Sequence, residues 1–240
     1  MTRKTCENRR PRFVSFSGID GAGKSTQIET LRARLDEIGV RVSLVIFWTE
    51  VATLTRIREV AAHTLFKGDK SVGTPTKPVN RRDKNVRSWY LTPLRFGLYL
   101  LDAISLHIVA KTRGSDADVV VFDRYLYDEL ANLSLRNGIT RLYVRLLLKL
   151  VPQPDIRYLL DADPVLARTR KPEYPLHFLH GNRSSYLALS ELVGGMTIIA
   201  PQPAQDVERQ VLRVALTKLC PDRMQWFLTS GHTTAQSAPK

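Results

Sequence analysis

Residues 12–31 read RFVSFSGIDGAGKSTQIETL, and this stretch decides the fold. Arg12 to Ser17 is a run of β-branched and aromatic residues, the composition of a strand. Gly18-Ile19-Asp20-Gly21-Ala22-Gly23-Lys24-Ser25 matches GxxxxGK[ST] in full. From Thr26 to Ile38 the spacing is helical, with Ile28, Leu31, Leu35 and Ile38 on the inward face and Gly39 as the stop. A strand that feeds a glycine loop and then a helix is the context in which this pattern binds phosphate. Glycines let the backbone curl until successive N–H groups point at a polyphosphate. The N-terminus of the new helix adds its positive end. Lys24 is expected to be exposed to solvent or ligand and to reach the β- and γ-phosphates, and Ser25 to ligate Mg²⁺. The alternative is a glycine-rich turn with a chance lysine, which leaves the full match and its context unexplained.

Working outward, Arg41 to Phe47 reads as a second strand and Val51 to Phe66 as a helix. Lys67 to Arg87 carries seven Lys/Arg against two Asp and little apolar content, which marks a long basic loop. A helix is predicted over Asn85–Thr112, bent at Pro93. Asp116 to Phe122 is uniformly apolar after its first acids, as buried parallel strands are. Helices are predicted over Tyr127–Leu135, Arg141–Leu150 and Val207–Leu219, and strands over Ile156–Leu160 and Met196–Ile199. Strands alternating with helices imply an α/β fold with a parallel sheet and helices on both faces. Residues 1–11 read as a flexible basic tail, 12–228 as a single domain, and 229–240 as a disordered tail.

The 240 residues are 43% hydrophobic and carry a net charge of +13, so the chain can bury a full core and favours acidic partners. Two cysteines, Cys6 and Cys220, exclude a disulfide scaffold. No apolar run is long enough to span a membrane, and the short run after the basic N-terminus leads into the glycine loop rather than a cleavage site. These features fit a cytoplasmic protein with no membrane partner. The basic segment lacks interleaved aromatics, which argues against a nucleic-acid groove. A homodimer is compatible with the sequence, which does not itself fix an oligomeric state.

After DADVVVF come Asp123-Arg124-Tyr125. A carboxylate ending a strand beside the glycine loop can hold Mg²⁺, and the adjacent guanidinium can grip a phosphate with its planar fork. A structural Asp–Arg pair capping the next helix is the alternative.

Four segments together resemble the thymidylate kinase family of P-loop nucleoside monophosphate kinases: FVSFSGIDGAGKSTQIETL, FDRYLYDELA, YLLDADPVLARTRK and FLHGNRSSYLAL, the last with Arg183 three residues before Tyr186. The resemblance implies a three-layer P-loop sandwich with a five-stranded sheet. It also implies transfer of the ATP γ-phosphoryl group to a nucleoside monophosphate, thymidylate first, with ATP and Mg²⁺ required. It assigns Gly18, Ile19, Asp20, Gly21, Ala22, Gly23, Lys24, Ser25 and Thr26 to the donor, with Asp20 facing the acceptor sugar. Ser25 and Asp123 would organise the metal and Arg124 would hold the acceptor phosphate. Arg168, Arg170 and Lys171 would be lid cations, with Arg170 at the position of a family lid arginine; a solvated basic helix end is the alternative for all three.

The acceptor half departs from the family pattern. Where the family has Thr-Arg-Glu-Pro-Gly-Gly, this chain reads Phe47-Trp48-Thr49-Glu50-Val51, and Glu50 alone corresponds. The family places a phenylalanine that stacks on thymine four residues before an arginine; if Arg95 is that arginine, Leu91 occupies the stacking position, so Trp48, Trp89 or Tyr90 must provide the aromatic face. Asp128 stands where the family has serine, and Asn132-Leu133 replaces Tyr-Gln. The expected acceptor contacts are therefore Trp48, Glu50, Tyr90, Arg95 and Arg124. Another nucleotide, a nucleoside or a sugar derivative is the alternative acceptor. A nucleotide-dependent nucleic-acid-binding protein is the remaining alternative.

Overall fold

The structure is a computed structural model that describes residues 10–52 and 92–221, with backbone only at 92–95. The expected helix at Val51–Phe66 beyond Ala52, the basic loop Lys67–Arg87, the first residues of the helix expected from Asn85, and Trp89, Tyr90 and Leu91 lie outside the described residues. So do most of the N-terminal tail and residues 222–240.

Five strands form one sheet: β1 (Arg12–Ser17), β2 (Val42–Ile46), β3 (Val119–Asp123), β4 (Ile156–Leu160) and β5 (Thr197–Ile199). Their spatial order is β2-β3-β1-β4-β5 and every pairing is parallel. The fold is thus the α/β sandwich expected. The glycine-loop strand β1 lies at the centre, where both faces are covered. β3 is buried along Val119–Phe122 because parallel strands with helices on either side leave no solvent face.

Alternation along the strands divides the core in two. Val14 and Phe16 of β1, Val119 and Val121 of β3, and Ile156, Tyr158 and Leu160 of β4 pack on one face. They meet Ile28, Leu31 and Leu35 of α1 (Lys24–Glu37) and Val211, Leu212 and Ala215 of the closing helix. Val120 and Phe122 point the other way. They meet α2 (Thr92–Gly114), α3 (Leu126–Leu130), α4 (Gly138–Leu150) and α6 (Leu176–Val193). A short α5 (Pro164–Arg170) precedes α6, and α7 (Ala204–Leu219) is the closing helix.

Three local outcomes differ from the sequence expectation. The helix after the glycine loop begins at Lys24 rather than Thr26, which brings the lysine into its first turn. The helix expected over Tyr127–Leu135 ends at Leu130. Residues 131–136 turn the chain, with Ala131 and Leu133 tucked into the core, until Asn137, whose side chain accepts from the Ile139 N–H at 2.9 Å, starts α4. Helix α5 was expected only through the alternative of a basic helix end at Arg168–Lys171, and its start was not read, although Asp163-Pro164 spells it. The Asp163 carboxylate accepts from Val165 N and Leu166 N at 2.9 and 3.0 Å, and proline fits a first turn.

Candidate active site

The site forms at the carboxyl ends of β1 and β3, which are neighbours in register, with Phe16 opposite Asp123. Ligands of open parallel sheets gather at such ends. Gly18, Gly21 and Gly23 have φ of 141°, 83° and 87°, and bare backbone is needed for packing as well as curl. A Cβ on Gly18 would run into the Leu160 carbonyl, and one on Gly21 into the Ala167 carbonyl of α5. The loop is therefore pressed between β1 and the segment β4–α5, and only glycine permits that approach.

Lys24 is buried rather than exposed, which corrects the sequence expectation. Its Nζ donates to the carbonyls of Gly18 and Ile19 at 2.8 and 2.9 Å, so the ammonium folds back under the loop it follows. Its pKa is lowered to about 8, first by burial and then by the Arg124 charge, against the pull of Asp20, Asp128 and Asp123. Ser25 and Thr26 are exposed at the start of α1.

Arg124 follows the last residue of β3 in the left-handed region, at φ 70°. Its N–H donates to Phe16 O at 3.1 Å, tying it to the end of β1. Its guanidinium is ion-paired to Asp20 of the glycine loop and lies 3.4 Å from Asp128 Oδ1. Burial alone would lower its pKa, but the carboxylates of Asp128 and Asp20 outweigh burial and raise it, so the group stays cationic. Asp123 makes no side-chain hydrogen bond among the described residues.

Arg170, at the end of α5, reaches the same loop, with Nη1 3.5 Å from Gly21 O. Lys171 turns to Glu173 at 3.4 Å. Arg168 is half-buried on α5. The structure therefore brings Asp20, Lys24, Asp123, Arg124 and Arg170 around one loop.

The expected acceptor residues are more scattered. Phe47–Val51 forms a π-helical turn after β2. There Trp48 is half-buried and edge-on to Phe47, with ring centroids 5.8 Å apart. The Glu50 carboxylate accepts from Ile46 N at 3.1 Å and pairs with Arg113 at the end of α2, a structural tie. Arg95 lies on α2, with its side chain outside the description, and Tyr90 lies outside the described residues. Asn132, half-buried, donates to the Asp128 carbonyl at 3.0 Å, and Leu133 is in the core and not offered to a ligand.

Asp128, read from sequence only as a departure, proves to be a centre of contacts. It is buried, and Oδ2 accepts from Ser17 Oγ at 2.7 Å and Tyr125 N at 3.1 Å, while Oδ1 accepts from Tyr186 OH at 2.7 Å. Nothing in the sequence signals these partners, since Ser17 and Asp128 are 111 positions apart. Arg183 is similarly fixed, by a bidentate pair with Asp161 at 2.6 and 2.7 Å that anchors α6 to the end of β4.

The residues present fit a magnesium nucleotide. The tight glycine curl offers bare backbone to phosphates, and Ser25 and Asp123 offer the oxygen donors that magnesium takes. Among the described residues no cluster of three or more His, Cys, Asp or Glu could hold a metal ion.

No protein-family model matches the chain. Among curated proteins it is similar to a probable thymidylate kinase of Pyrobaculum aerophilum, 27% identical over 207 residues that cover 83% of this chain and 93% of that one. A thymidylate kinase of Bifidobacterium longum is 29% identical over 163 residues, covering 66% and 70%. A probable thymidylate kinase of Archaeoglobus fulgidus is 27% identical over 214 residues, covering 84% and 93%. No helix among the described residues is long and apolar enough to cross a membrane. With a glycine loop on the central strand and an Asp-Arg pair on its neighbour, the chain is similar over most of its length to proteins named thymidylate kinase.

Proposed function

We propose that the protein transfers the γ-phosphoryl group of ATP to a nucleoside monophosphate, with thymidylate as the preferred acceptor. The observation that carries this reading is the convergence of two cations, Lys24 at the start of α1 beneath the glycine loop and Arg124 at the end of β3, with Asp20 bridging the loop to Arg124. A donor phosphate bound by the loop and an acceptor phosphate held by Arg124 would be neighbours, which is what an in-line displacement needs.

In this reading Lys24 leaves the Gly18 and Ile19 carbonyls to neutralise the β- and γ-phosphates, and the loop N–H groups hold the donor. Ser25 and Asp123 would hold Mg²⁺, which supplies charge neutralisation on the phosphate oxygens. Arg124 exchanges its Asp20 contact for the acceptor phosphate, and Arg170 brings a further cation from α5 to the loop. The protein's work is positioning and electrostatics, since phosphoryl transfer asks little covalent chemistry of it.

A different acceptor is the second reading. It is supported by the commitment of Glu50 to Arg113 and by the burial of Leu133 in the core. ADP release from the full chain, measured with ATP, Mg²⁺ and a panel of nucleoside monophosphates, nucleosides and sugars, tests both. Turnover fastest with thymidylate is expected. Turnover confined to a nucleoside or a sugar would replace the acceptor, and no turnover with any of them would overturn the kinase reading.

A further inference from the structure

Arg124 sits in a backbone conformation that residues with a Cβ rarely adopt, and such strain persists where surrounding contacts over-determine it. Its backbone is held by Phe16 O and its guanidinium by two carboxylates. One of these, Asp20, belongs to the glycine loop. The other, Asp128, comes from α3 and is itself fixed from three directions: Ser17 at the end of β1, the Tyr125 N–H and the Tyr186 phenol on α6. Tyr186 is buried on α6, the helix that follows the Arg168–Lys171 segment.

The sharing of one oxygen is the informative detail. Asp128 Oδ1 accepts from Tyr186 OH at 2.7 Å and from Arg124 Nη1 at 3.4 Å. A free carboxylate draws a guanidinium to about 2.7–2.9 Å. The phenol occupies part of the accepting capacity of Oδ1, while Ser17 and the Tyr125 N–H occupy Oδ2. The guanidinium therefore stands off from Asp128 and leans to Asp20 and the glycine loop.

We propose that Asp128 is a positioning residue for Arg124 and that Tyr186 sets, through Asp128, where the acceptor arginine stands. The inference rests on the phosphotransferase reading for its kinetic consequence but not for its geometry. It gives α6 a direct mechanical link to the acceptor side of the site, through a residue at which this chain departs from the thymidylate kinase pattern.

Tyr186→Phe, Asp128→Asn and the double variant test it in the full chain, with melting curves to confirm folding. Loss of a hydrogen bond to a charged group is worth about 1.5–3 kcal/mol, so the acceptor KM should rise about tenfold or more in each single variant. The KM for ATP should stay within about twofold, the scatter expected of untouched contacts. The double variant should match Asp128→Asn alone, because the phenol acts only through that carboxylate. Equal rises in both KM values, or additive effects in the double variant, would overturn it. A second measurement needs no turnover: slow rotation of the Arg124 guanidinium, seen as a resolved side-chain N–H resonance and assigned by Arg124→Lys. Tyr186→Phe should shift or broaden that resonance, and an unmoved resonance would overturn the inference. Wild-type protein without turnover would sink the kinase reading and leave this second measurement to decide the positioning.

Discussion

The phenol of Tyr186 donates a 2.7 Å hydrogen bond to Asp128, a residue 58 positions earlier in the chain, and that carboxylate lies against the Arg124 guanidinium. Through this pair the helix behind α5 reaches the end of β3. The candidate site is thus a set of charges held by elements far apart in sequence, and its behaviour follows from how each charge is held.

Lys24→Met should abolish phosphoryl transfer while retaining the fold. Methionine keeps most of the buried stem and removes the charge whose Nζ is held by the Gly18 and Ile19 carbonyls. Loss of a group that neutralises developing phosphate charge costs about a hundredfold to a thousandfold in kcat. Steady-state rates beside circular dichroism check this; a folded variant with most of its turnover would remove the loop from the donor site.

ATP affinity should weaken as pH rises through about 8. Burial and Arg124 lower the Lys24 pKa to about 8, so the cation that meets phosphate is present below that pH and lost above it. The same shift acts on stability with the opposite sign. Between about 8 and the ordinary 10.5 the unfolded chain holds a proton that the folded chain has released, so this group's contribution to stability rises with pH. Calorimetric titration of ATP between pH 7 and 9.5 measures the first effect, and a flat profile would contradict it.

Gly21→Ala should destabilise more than Gly23→Ala. Both residues have positive φ, but a Cβ at Gly21 meets the Ala167 carbonyl whereas one at Gly23 meets nothing within 4 Å. Backbone strain alone costs about 1–3 kcal/mol, and a chain of this size loses roughly 2–4 °C of melting temperature per kcal/mol. Gly21→Ala must also push α5 and Arg170 from the loop, so its activity should fall further. Paired thermal melts decide the order, and equal losses would show that the α5 contact is unimportant.

Arg124→Ala should raise the acceptor KM far more than the KM for ATP. A charge-assisted contact is worth about 1.5–3 kcal/mol, equivalent to about ten- to a hundredfold. Removing Arg124 also leaves Asp20 and Asp128 without their shared cation, so a lower melting temperature should accompany the change. Titrations with each nucleotide separate the two affinities, and equal weakening would refute the division of roles.

The sequence by itself determined the strand, loop and helix of residues 12–38, because strand composition, glycine spacing and helical periodicity are local properties. It likewise located β3, β4 and the Asp123-Arg124 pair, since uniformly apolar runs bounded by polar residues need no distant partner to be read. The end of α3 at Leu130, the start of α5 and the burial of Lys24 were not read: the first two rest on turns and caps, the third on the Gly18 and Ile19 carbonyls that accept from the ammonium. Tertiary structure alone decided that Glu50 serves Arg113, that Gly21 must admit Ala167, and that Asp128 gathers Ser17, Tyr125, Arg124 and Tyr186. Such pairings depend on which strands lie side by side and where helices cross them. A carboxylate's partners are fixed by that geometry and by the cost of burying it without them, neither of which is written in its neighbours along the chain.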